Sequence, residues 1–87
     1  MKRLRERALA EEVWCAIKHA LTMEEHLLES AQKVIRLKNE LKNEGKKKEL
    51  NKIKDELLEM QDAIRAIRQR LVDIGFEIEK YAREVEE

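Results

Sequence analysis

The sequence predicts an all-α fold, an antiparallel helical hairpin, and three observations lead there. The 87 residues contain no proline and two glycines, too few turn-formers for a set of strands and tight loops. Apolar residues recur in alternating steps of four and three along two long stretches, the period of a left-handed supercoiled seam. One break separates them: Gly45 lies between Asn43 and Asn51, where apolar residues thin out. Glycine is the usual left-handed residue just beyond a helix end. Residues 1–87 therefore read as a single helical domain, with helix 1 at about 3–43, a turn at about 44–46 and helix 2 at about 47–86.

The seam of helix 1 runs through Leu9, Val13, Ala16, Ala20, Met23, Leu27, Ser30, Val34, Leu37 and Leu41. That of helix 2 runs through Leu50, Ile53, Leu57, Met60, Ile64, Ile67, Leu71, Ile74, Ile78, Tyr81 and Val85. Two such helices joined by a short loop fold back antiparallel. The end charges agree. Lys2, Arg3, Arg5 and Arg7 begin helix 1, and Glu84, Glu86 and Glu87 end helix 2. Each group opposes its own helix dipole, and an antiparallel hairpin sets the two side by side. Thr22-Met23-Glu24-Glu25 has the form of a capping box, which would divide helix 1 and make a three-helix bundle. The seam passes through Met23 without a change of phase, so the hairpin is the expectation.

Helix 1 has a second apolar stripe beside the seam: Trp14, Ile17, Leu21, Leu28, Ala31 and Ile35. The combined arc is wider than one partner helix requires. A broad monomer core is one reading. The expected one is an interface through which two hairpins pair into a homodimeric four-helix bundle, since an exposed patch of that size is a liability.

The totals remove several function classes. Nineteen basic and nineteen acidic residues cancel, whereas a nucleic-acid binder usually carries a basic excess. One cysteine makes no internal disulfide. The charged N-terminus is unlike a signal peptide, and no apolar run approaches the ~20 residues of a membrane span. A soluble, cytoplasmic protein is expected, compartment having no meaning if the chain is designed.

Cys15, His19 and His26 are the residues that suggest a metal. They share one helix face, and thiolate with imidazole suits Zn²⁺, with two ligands per chain or more across a dimer. The face is polar, however, and His19 and His26 stand about 10 Å apart along the axis. Solvated histidines and no metal cofactor are the expectation, a zinc-binding bundle the alternative. A Cys–His pair can make a nucleophile, but no orienting third group is apparent. The lysines Lys42, Lys46, Lys47, Lys48, Lys52 and Lys54 cluster near the turn and read as a solvated loop. No phosphate loop, cofactor fingerprint or small-molecule site is evident. The expected function is non-enzymatic: a structural or interaction module that presents helical surface to itself or to another helical protein.

Gly75 stands inside helix 2, where it costs about 1 kcal/mol relative to alanine, and Phe76 follows it. Missing side-chain bulk one residue past Ile74 lets another backbone approach. The stretch Ile67 to Ile78 resembles the third Bcl homology motif of apoptosis regulators. The resemblance places four apolar anchors at Ile67, Leu71, Ile74 and Ile78 and the motif's small residue at Gly75. It implies binding to an anti-apoptotic Bcl-type groove. It covers about a dozen residues and departs where the family has an acidic residue, here Phe76. The unbroken heptads and balanced charge also resemble de novo designed helical bundles.

Overall fold

The computed structural model describes residues 2–86, with side chains placed for 7–81, 83 and 84. Helix α1 spans Lys2–Glu40 and helix α2 spans Glu44–Glu86. Contacts between Trp14 and Glu79, Glu24 and Arg68, and Lys38 and Asn51 show that they run antiparallel. The result is 66 Å long and only 14 by 12 Å across, so no third layer covers the faces of the pair. The expected neighbours Lys2, Arg3, Arg5, Glu86 and Glu87 lie outside the described side chains.

The connection falls at residues 41–43, not at 44–46. Gly45 sits in the first turn of α2, and among the described residues no glycine has a positive φ. Asn43 accounts for the shift. Its Oδ1 accepts a hydrogen bond from the Lys46 backbone N–H at 3.0 Å, and its carbonyl accepts from that of Lys47 at 3.0 Å. Those are the two bonds of an N-cap, and a capped start for α2 overrides a glycine stop for α1. Asn43→Ala is expected to cost about 1 kcal/mol in chemical denaturation, with the far-ultraviolet spectrum of the native state unchanged.

Helix α1 is unbroken through Thr22, which excludes a three-helix arrangement of this chain. The Thr22 hydroxyl donates back to the Lys18 carbonyl at 3.1 Å, a mid-helix bond rather than a cap.

The pairing face is rotated from the expected seam. One row is shared: Val13, Ala20, Leu27, Val34 and Leu41 on α1 and Leu50, Leu57, Ile64, Leu71 and Ile78 on α2 are half-buried. The second inward row is not the expected one. It lies one residue later on each helix, at Ala10, Ile17, Glu24, Ala31 and Lys38, and at Lys54, Gln61, Arg68 and Gly75. Leu9, Met23, Leu37, Ile53, Met60, Ile67, Ile74 and Tyr81 are exposed instead, as are Ala16 and Ser30; Val85 lies outside the described side chains. The closest approach explains the choice. Among the described residues, the buried apolar side chains are the alanines Ala10 and Ala31, and on α2 Gly75 is buried against Val13 and Trp14. Small residues let two backbones come near; a line of Leu, Met and Ile holds them apart.

Candidate functional site

The inward row holds a polar cluster at mid-length. Glu24 is 4% exposed and Gln61 9%. Arg68 donates from Nε to Glu24 Oε2 and from a terminal nitrogen to Oε1 at 3.3 Å. Arg65 Nε reaches Oε1 at 3.4 Å, and Gln61 Nε2 donates to the Glu24 carbonyl at 3.3 Å. The Arg68 hydrogen bond holds the Glu24 carboxyl below its ordinary value, against desolvation, which pushes it up; the charges of Arg68 and Arg65 add to the lowering. The Arg68 guanidinium is raised by the same bond. Every strong donor here has an acceptor, so the cluster fixes register rather than offering a reactive group. The sequence carries a signal for it: polar residues seven apart, Gln61 and Arg68, one step from the apolar row.

Nearer the open end, Trp14 lies across Gly75. A Cβ placed on Gly75 would come 3.2 Å from Trp14 Cζ2 and 3.4 Å from Trp14 Cε2 and Val13 Cγ1. The indole N–H donates to Glu79 Oε1 at 2.6 Å, and the Phe76 ring meets it edge-on with centroids 5.4 Å apart. The glycine thus serves close packing inside the hairpin. Of the stripe expected to be an interface, Ala31 is buried in the intrachain contact and Ile17 and Trp14 are half-buried there. Leu21, Leu28 and Ile35 remain exposed.

The four positions of the Bcl-motif resemblance divide. Leu71 and Ile78 face α1 with Gly75, while Ile67 and Ile74 point outward. Presenting all four anchors to one groove requires opening the hairpin.

The most extensive feature is an apolar strip along one open face. On α2 it consists of Ile53, Met60, Ile67, Ile74 and Tyr81, one every seven residues and each 45–55% exposed. On α1 it consists of Leu9, Met23 and Leu37, 46–52% exposed, with Ala16 and Ser30 between them. In an antiparallel pair these rows fall on the same side of the contact plane. The register set by the Trp14, Glu24 and Lys38 contacts puts Leu9 level with Tyr81, Met23 with Ile67 and Leu37 with Ile53.

His19 and His26 lie beside this strip on α1, while Cys15 lies farther round the helix with Glu11, Trp14 and Lys18; all three are exposed. His26 Nδ1 stands 3.8 Å from Glu29 Oε2. Among the described residues, no group of three His, Cys, Asp or Glu side chains converges on a metal position within the chain. Nor is any helix among them long and apolar enough to cross a membrane.

No protein-family model, curated protein or solved structure matches this chain.

Proposed function

We propose that the chain is a non-enzymatic, self-associating helical module, and that two hairpins pair through the open apolar strip into a four-helix bundle. The strip carries the reading. Its eight large side chains leave roughly 800 Å² of surface in water, the share one partner contributes to a standard interface. The whole chain exposes 7065 Å², where a compact monomer of its mass exposes roughly 5,400 Å². The surplus is what a second layer would cover.

The opposite face is a poorer candidate. There α1 offers Leu21, Leu28 and Ile35, but in the corresponding row of α2 the apolar Leu58 and Val72 alternate with Asn51, Arg65 and Glu79. The strip is apolar on both helices, as the core of a bundle must be.

Sedimentation equilibrium at micromolar concentration tests this. The wild type is expected at twice 10.4 kDa, and a 10.4 kDa species throughout would retire the dimer. Ile67→Glu, at the centre of the strip and away from the intrachain contact, is expected to weaken association roughly 100-fold, about 2.8 kcal/mol, while leaving the helix content of the monomer intact.

A further inference from the structure

Two arrangements let one strip cover another along its full length under a two-fold axis. With the axis across the helices, the turns lie at opposite ends and each helix meets its own counterpart. With the axis along the helices, the turns lie at the same end and α1 meets the partner's α2. Both bury the same residues, so area does not choose between them. Nor do the charges just outside the strip. The first arrangement sets Glu12 by the partner's Lys33, but Glu56 by the partner's Glu77 and Glu49 by the partner's Glu84. The second sets Lys33 by the partner's Glu56, but Glu12 by the partner's Glu77 and Glu40 by the partner's Glu49. The balance is the same in each, and exposed pairs of this kind contribute little.

Side-chain size does choose. The exposed row of α1 reads Leu9, Ala16, Met23, Ser30, Leu37, and that of α2 reads Ile53, Met60, Ile67, Ile74, Tyr81. The first is low at Ala16 and Ser30; the second is low nowhere. When each helix meets its own counterpart, Ala16 faces the partner's Ser30 and a gap opens at both ends of the α1 pair. The α2 pair meanwhile stacks Met60 on the partner's Ile74 and Ile53 on the partner's Tyr81, which holds the layers apart. With the axis along the helices, Ala16 faces the partner's Ile74 and Ser30 faces the partner's Met60. Each small residue then receives a large one, and the two layers stay evenly spaced. Unfilled gaps in a bundle core cost more than exposed charge pairs contribute.

We propose that two hairpins pair with their turns side by side, each α1 seated on the partner's α2, and that Ala16 and Ser30 are sockets for the partner's Ile74 and Met60. The proposal rests on the dimer reading above and adds to it the orientation of the partner and the residues that set it. A charge consequence follows. Residues 36–54 hold eight cations and three carboxylates, against eleven and sixteen in the rest of the chain. Side-by-side turns bring two such basic ends together, so association tightens as salt screens them. Turns at opposite ends would set each basic end beside an acidic one, and salt would loosen the pair.

The test is a distance between spin labels, measured by pulsed electron resonance on the full chain carrying Cys15→Ser and Lys42→Cys, with the label at the turn. The two labels of a dimer are expected within about 30 Å of each other, because the turns occupy neighbouring places in one bundle. A separation close to the 66 Å length of the rod puts the turns at opposite ends; it overturns the proposal and leaves the dimer standing. Exchanging sizes checks the sockets by sedimentation. Ala16→Ile and Ile74→Ala are each expected to weaken association about tenfold, and the double variant to regain most of the loss, since a large side chain again faces a small one. Losses that simply accumulate overturn the sockets. Association of the wild type that loosens as salt rises overturns the side-by-side turns. A chain that stays monomeric at every concentration overturns both the orientation and the dimer.

Discussion

Glu24→Lys abolishes cooperative unfolding of the hairpin. Glu24 accepts from both Arg68 and Arg65 at the centre of the helix contact, and it is nearly excluded from solvent. A lysine there sets three cations together where water reaches poorly, and breaking a buried pair from one side leaves the remaining charge uncompensated. Thermal melts followed by circular dichroism are expected to lose their sigmoid shape. Exchanging the charges, Glu24→Arg with Arg68→Glu, restores part of the transition, and the double-mutant cycle isolates the pair from its surroundings. A full melt in Glu24→Lys would show that the cluster does not hold the helices together.

The same residue sets an acid limit. Its carboxyl is held below the ordinary value of 4.5 by the Arg68 hydrogen bond, so the folded chain binds this proton less readily than the unfolded chain. The contribution is complete above the ordinary value and is lost as pH falls through the lowered one. Between about pH 7 and about pH 3 the melting temperature of the wild type is expected to fall more steeply than that of Glu24→Gln. Parallel curves would remove Glu24 from the acid response.

Gly75→Leu is expected to destabilise the hairpin by about 2–3 kcal/mol, because the site is already filled by the Trp14 ring and overpacking forces side chains and backbone apart. Gly75→Ala is the finer probe. Alanine gains about 1 kcal/mol of helix propensity, but its Cβ presses on Trp14, which is tied to Glu79. The two effects oppose each other, and the net change in the wild type is expected to stay below about 1 kcal/mol. In a Trp14→Ala background the ring is gone, and the same substitution is expected to stabilise by about 1 kcal/mol. Equal effects in both backgrounds would mean that the indole is not what keeps position 75 small. Chemical denaturation gives each value, read against a concentration series so that folding and association are separated.

What the sequence determined by itself is local. Helix is dictated by composition and by the absence of proline, and two helices follow from a single interruption, because these preferences act over a few residues at a time. The exception at Gly75 was legible too, since a glycine inside a good helix implies that something sits close. Its neighbour was not: Trp14 belongs to the other helix, and no local rule assigns a ring to a gap across the hairpin. The turn was misplaced by three residues because glycine and asparagine both signal there, and the hydrogen bonds of Asn43 decided between them. The pairing face was decided by tertiary structure alone. On α1 the rows of Leu9, Val13, Ile17 and Leu21 adjoin one another around the helix, so periodicity fixes a broad arc and not its centre. Two helices settle where their backbones approach most closely and their polar groups find partners, at Ala10, Ala31 and Gly75 and at Glu24 with Arg68. That choice turns Met23, Ile67 and Ile74 outward, and the exposed strip is its consequence.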